Sequence, residues 1–307
     1  VVVRLIVEKE REIEVFKPVE YWDISANVTK TKEFQVKLTK IGDERAVVSV
    51  ANQAKEIVAN LNKATYKIGN IERREVVKKP FAPFTTSTMT QVASRIFFWS
   101  AKKTMSVAQR LYEEGLITYH RTDSTNIAIQ AITGARAYIQ KEYSKEYLPE
   151  KPRIYKTSSK MAQEAHEAIR PTNISLQSTN VLGSDGRKLY ELIWKRFLSC
   201  QMSDALFDET RIDVSALFGQ KSYTLRASGQ IIKFQGWKIL FKSKDQDEIQ
   251  LPEVRENETL QLVKVDGQQK FTEPPARFTE ASLVKTLEKL GIGRPSTYAP
   301  TISTIQD

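Results

Sequence analysis

Apolar residues recur at two spacings along the chain, and the change from one to the other divides it. After an opening stretch of helical composition, residues 21–28 and 34–38 alternate apolar with polar, which predicts half-exposed antiparallel strands, and residues 66–77 read the same way. Between them, residues 52–62 place Ile57, Val58 and Leu61 on one side of a helix. Two prolines in Lys79-Pro80-Phe81-Ala82-Pro83-Phe84 then force an extended connection. Three- and four-residue spacing takes over in 90–99, 102–114, 127–143 and 187–199, predicting helices. Strands are expected again over 209–217, 222–226 and 237–241. Thr86 or Ser87 is placed to cap the first helix of the block. Near the end, Thr279 caps a helix that Gly291 stops, and Pro295 opens the next.

This order predicts a multi-domain mixed α and β chain in which a helical block is inserted into an antiparallel β domain, itself inserted into a helical one. The expected boundaries are 1–15 with 276–307 for the outer helical domain, 16–78 with 206–275 for the β domain, and 79–205 for the helical block. A chain of 307 residues exceeds what one small core needs, which agrees with that division. It begins without methionine and ends without a helix stop, so it reads as a piece of a longer protein.

Charge narrows the partners. Lysine and arginine total 47 against 37 acidic residues, a net +10, with a pI near 9.4. Residues 71–110 alone hold eight basic side chains against Glu72 and Glu75, a balance of +6. Such a window favours a polyanion. The single cysteine, Cys200, excludes an internal disulfide or a cysteine zinc site, and its apolar neighbours make it a buried structural thiol. Without a membrane-spanning run or a signal-peptide pattern, the expected setting is cytoplasmic and nucleoid-associated, the expected form a monomer. The pair Asp245 and Asp247 in a charged turn supplies too few ligands for a metal.

The chemistry concentrates in Lys102 to Ser124. A helix with Met105, Ala108, Leu111 and Tyr112 facing a core is stopped by Gly115, and a short β stretch then presents Tyr119. In a strand Arg121 projects on the same side, where its guanidinium can bind a phosphate that the phenol attacks. Further on, Gly291-Ile292-Gly293-Arg294-Pro295-Ser296-Thr297 sets glycines, Arg294, Ser296 and Thr297 at a helix start, a suitable phosphate cradle.

Gly115-Leu116-Ile117-Thr118-Tyr119-His120-Arg121-Thr122-Asp123-Ser124 closely resembles the active-site motif of the bacterial type IA DNA topoisomerase I family. Ala165-His166-Glu167-Ala168-Ile169-Arg170-Pro171-Thr172 and Pro274-Pro275-Ala276-Arg277-Phe278-Thr279 resemble further motifs of that family, in family order. The resemblance implies an arch-shaped fold with a winged-helix-like block. It implies Tyr119 as a nucleophile that forms a 5'-phosphotyrosine with DNA, aided by Arg121 and His166. It places Ser124, Arg170, Thr172, Arg277, Arg294, Ser296 and Thr297 on DNA. His120 stands where the family usually has methionine, and a neighbour in a strand points away from the phenol, so no catalytic role is expected for it.

The resemblance also implies Mg²⁺ held by an acidic domain, Toprim, that precedes this chain in the family, with no metal bound by these residues. Expected partners are single-stranded and negatively supercoiled DNA, and no membrane. The implied reaction cleaves one strand, passes another and reseals without ATP; the chain alone is expected to bind DNA but not to complete it. Topoisomerase III and reverse gyrase carry similar modules. A non-enzymatic winged-helix module in which Tyr119 stacks on a base is the reading from a different class.

Overall fold

Alternating burial in Glu20–Thr29 (β1) and Glu33–Ile41 (β2) turns Ile24, Ala26, Val28, Phe34 and Val36 inward. The computed structural model describes residues 1–155, 166–241 and 248–306. In chain order, α1 (Val2–Glu14) precedes β1 and β2; β3 (Glu44–Arg45), α2 (Ala51–Asn62) and β4 (Thr65–Lys78) follow. The helical stretch holds α3 (Thr86–Phe97), α4 (Ala101–Glu113), α5 (Ile129–Glu142) and α6 (Gly183–Ser199). After it come β5 (Ala205–Phe218), β6 (Lys221–Phe234), β7 (Thr259–Phe271), α7 (Glu280–Leu290) and α8 (Tyr298–Gln306).

The strands form one antiparallel sheet in the order β1-β7-β4-β5-β6-β2-β3, and an additional pairing of β1 with β2 closes it on itself. Closure removes the edges that an open sheet would expose, leaving two-residue β3 as an appendage. The β1–β2 pairing runs only from Ser25↔Lys37 to Thr29↔Glu33. Beyond it the strands part, because β2 turns to pair with β6 from Lys37↔Arg226 onward. Buried side chains gather in three clusters. One fills the barrel under α2, around Val28, Leu61, Tyr66 and Val214. A second lies among α3–α6, around Met89, Leu111, Ile139 and Phe197. The third joins α1 to α7 and α8 through Val2, Val284, Leu287 and Ile302.

Three local expectations are corrected. Residues 237–241 form a 3-10 turn at Gly236–Leu240, not a strand. Gly236 has φ 49, and a Cβ there would lie 2.2 Å from the Asp204 carbonyl oxygen, so β6 breaks and Trp237 swings onto the helical cluster. Its indole N–H donates to the Lys78 carbonyl at 2.8 Å. The cap of α3 is Thr85 rather than Thr86 or Ser87: Thr85 and Thr88 bond each other's backbone N–H groups, at 3.2 and 2.9 Å. The stretch carrying Tyr119 joins no continuous ladder, having only the isolated bridge Ile117↔Pro171.

Cys200 is fully buried and its thiol donates to the Phe197 carbonyl, as expected of a structural thiol. Burial pushes that thiol up to about 12.

Candidate active site

Gly115, at φ 67, ends α4 in the left-handed turn that glycine favours. The chain then runs extended, and burial alternates: Tyr119, Arg121 and Asp123 face outward while His120, Thr122 and Ser124 are buried. The alternation thus survives without a strand ladder, because two neighbours supply the missing bonds. On one side residues 166–172 run alongside. The Thr118 N–H donates to the Arg170 carbonyl at 2.9 Å, its hydroxyl to the Ala168 carbonyl at 2.7 Å, and the Thr172 N–H to the Leu116 carbonyl at 3.0 Å. On the other side lies the first turn of α3. The Thr86 hydroxyl donates to the His120 carbonyl at 2.7 Å and accepts from the Thr122 N–H at 2.9 Å. The Thr86 N–H donates to the Thr122 carbonyl at 2.9 Å.

This clasp sets Tyr119, Arg121 and Asp123 in the wall of a cavity of about 240 Å³, completed by His166, Arg294, Pro295 and Ser296. Three stretches far apart in sequence therefore converge on one small space. The Tyr119 ring meets Tyr112, His120 and His166 edge to face, with centroids 5.3, 5.5 and 5.6 Å away. Its side chain keeps 40% of its surface open. Arg121 and Arg294 contribute two guanidinium groups against the one carboxylate of Asp123, so the lining favours an anion. The α7–α8 turn is fixed by its own bonds: the Arg294 N–H donates to Thr297 Oγ1 at 2.8 Å, and the Arg294 guanidinium to the Gly293 carbonyl at 2.8 Å. Burial, with Glu288 and Asp123 nearby, pushes the Tyr298 phenol beneath this turn up to about 12.

His120 packs inward against Tyr112 and Tyr119, is fully buried, and neither ring nitrogen has a hydrogen-bond partner. Burial, then the charge of Arg121, pushes it down to about 4, so it stays neutral.

The remaining predicted residues do not line this cavity. Ser124 is buried and its hydroxyl accepts from the Asn126 N–H at 3.1 Å. Arg170 makes a two-pronged pair with Glu167, at 2.6 and 3.1 Å. Glu167 in turn accepts from the Ala128 N–H. Thr172 donates to the carbonyls of Gly115 and Leu116. Arg277 pairs with Glu10 in a separate cleft beside α1 and α8. Thr297 closes the turn before α8. In this geometry these side chains brace the elements that carry the cavity. Sequence reasoning missed two contributors. Asp123 was legible in the alternation that pairs Tyr119 with Arg121, whereas Thr86 acts through a contact 34 residues away in sequence that no pattern announces.

Among the described residues no group of three or more His, Cys, Asp or Glu is arranged to hold a metal ion. Asp245 and Asp247, and residues 161–165 of the His166 motif, lie outside the described residues. No described helix is long and apolar enough to cross a membrane.

Over residues 1–307 the sequence matches the family described as DNA topoisomerase. It is similar to the DNA topoisomerase 1 of Vibrio cholerae, 47% identical over 313 residues covering all of this chain and 35% of that protein. It is also similar to the DNA topoisomerase 1 of Escherichia coli, 46% identical over 314 residues, again all of this chain and 36% of the relative. A solved structure of full-length topoisomerase I from Thermotoga maritima has a similar fold, with a TM-score of 0.81 and 33% identity, covering 99% of this chain and 49% of that one. The chain thus spans about a third of the length of these curated relatives.

Proposed function

The chain belongs to the bacterial type IA DNA topoisomerase family, and from that premise we propose that it carries the strand-cleaving tyrosine of an ATP-independent topoisomerase. The observation that carries this reading is the convergence of Tyr119, Arg121, His166, Arg294 and Ser296 on one cavity. In the proposed reaction the Tyr119 oxygen attacks a DNA phosphorus. A phosphotyrosine bond forms at the 5' side, the bond to the 3' oxygen breaks, and that oxygen leaves with a proton. Reversal by the 3' hydroxyl reseals the strand. One phosphoester replaces another, so no external energy source is required.

The residues have distinct tasks. Arg121, two residues away on the same face, grips the phosphate and so aligns it with the Tyr119 oxygen. Arg294 and Ser296 hold the phosphate from the opposite wall. His166, packed on the ring, positions it and is placed to handle the proton of the leaving oxygen. The Mg²⁺ that the resemblance implies finds no fitting site among the described residues, and no step here runs through it.

We assign the three buried clusters to the three domains expected from the sequence, with the barrel as part of an arch and α3 to α6 as the winged-helix-like block. The proposed partners are single-stranded and negatively supercoiled DNA, in the cytoplasm, for a monomer. The test uses the chain extended to the full length of its relatives, with Mg²⁺ and negatively supercoiled plasmid. Tyr119→Phe is expected to abolish relaxation while leaving DNA binding intact. Equal relaxation by both proteins would mean that Tyr119 is not the nucleophile and would contradict this reading.

A further inference from the structure

Where β1 and β2 part beyond Ser25 and Lys37, a cleft of about 590 Å³ opens on the barrel, more than twice the volume of the Tyr119 cavity. Outward-facing Tyr21, Asp23, Lys37 and Lys270 line it together with Trp22, Ile24 and Leu38, which also pack in the barrel core. Residues 45–48 cross beside it as a strap, tied down by bonds from the Trp22 N–H to the Val48 carbonyl at 2.8 Å and from the Ala46 N–H to the Thr39 carbonyl at 2.9 Å.

Three cations reach this cleft, Lys37, Arg45 and Lys270, against the single carboxylate of Asp23. Asp23 is already paired with Lys270 at 2.5 Å. Counting the four gives +2, and among the described residues Lys37 and Arg45 have no ion pair or side-chain hydrogen bond. Both are exposed on the wall of one cleft, so an anion entering it can meet two cations that no carboxylate already holds. Tyr21, paired across the sheet with Lys270, lines the same cleft with 38% of its surface open, and the amides of Gln35 and Gln268 add hydrogen-bonding capacity.

Cations that track a backbone beside an exposed aromatic ring are the chemistry that holds single-stranded nucleic acid. We propose that the cleft between β1 and β2 is a second DNA contact, in which Lys37 and Arg45 bind phosphodiesters of a strand and Tyr21 stacks on a base. The proposal rests on the reading that this chain handles DNA. It concerns a different place, since the barrel contributes no residue to the Tyr119 cavity. A single free phosphate would leave most of the cleft unfilled, which favours a strand over a small anion.

The test measures binding of a fluorescent oligothymidylate by anisotropy at increasing salt. It compares the chain with a Lys37→Ala, Arg45→Ala double variant. Both basic side chains are exposed, and matched thermal unfolding checks the fold of the variant. The double variant is expected to bind several-fold more weakly. The slope of log affinity against log salt should fall by roughly 1.4, from two lost contacts at about 0.7 each. Unchanged affinity and slope in the double variant overturn the second contact, while failure of the unaltered chain to bind the oligonucleotide at all overturns the DNA reading on which it rests. A third arm adds thymidine monophosphate or inorganic phosphate at millimolar concentration. Full loss of the difference between the chain and the double variant under that competition would make the cleft a small-anion pocket and contradict the strand.

Discussion

Tyr119 is surrounded by ring edges from Tyr112, His120 and His166, which limit its rotation while one side stays open to the cavity. Of the three, His120 makes no hydrogen bond and is held neutral by burial, so it acts as an apolar filler. That has a pH consequence with a definite sign. An unfolded histidine takes up its proton near pH 6.5, but His120 in the fold resists until about 4. Between those values the unfolded state binds the extra proton. Stability is therefore fully present above pH 6.5 and is lost as pH falls toward 4, by about 3 kcal/mol at most. Denaturant unfolding of His120→Met should show a flatter decline across that window, with DNA cleavage at neutral pH retained. An equally steep decline in the variant would mean that other groups set the acid sensitivity.

At the same scale, five of the residues expected from the sequence, Tyr119, Arg121, His166, Arg294 and Ser296, meet in the cavity, and the other five do not line it. Tyr119 and Arg121 were legible together because a two-residue step keeps both on one face, a relation that holds in any extended segment, paired or not. Arg294 and Ser296 were legible from the glycines ahead of a helix start. Ser124, Arg170, Thr172, Arg277 and Thr297 have the right chemistry for phosphate, but each is engaged by a neighbour in the fold, and only the three-dimensional partners reveal that.

Among the elements, strong periodicity was read correctly and weak periodicity was not. The strands β1 and β2 bury every second residue and were plain. In β7 only Leu260 is fully buried, and half-buried and exposed side chains otherwise mix, so little alternation marks it. Residues 237–241 have strand composition, yet the conformation of Gly236 and the burial of Trp237 against the helical cluster override it. The first turn of α3 carries the least legible device, the Thr86 clasp on the Tyr119 segment. Thr86→Val keeps the shape and removes the hydroxyl, leaving the Thr122 N–H without its acceptor. The expected cost is about 1–3 kcal/mol. Cleavage should fall more than DNA binding, since the segment that carries the phenol loosens while the phosphate-binding cations remain. Parallel assays of cleavage and of oligonucleotide affinity check this, and equal losses in both would show the clasp to be purely structural.

Over the whole molecule, the cavity lies where two of the three buried clusters meet. Tyr119, Arg121 and His166 come with the helical block, and Arg294 and Ser296 with the α7–α8 turn. Two carboxylates of α7 hold these parts together. Glu288 accepts from the Ser87 hydroxyl at 2.6 Å and Glu280 from the Ala101 N–H at 2.5 Å. The site is thus complete only while the two units are in register, an arrangement that lets a phosphate be gripped from opposite walls. Tyr112 provides an internal check, because its ring lies 5.3 Å from that of Tyr119 and is equally exposed, at 40%, yet does not line the cavity.

The most direct measurement is therefore to denature the full-length protein during reaction with DNA, digest it, and locate the nucleotide adduct by mass spectrometry. The account predicts a 5'-phosphonucleotide on the peptide containing Tyr119 and none on Tyr112; an adduct on Tyr112 or any other residue, or no adduct from a protein that relaxes plasmid, would contradict it.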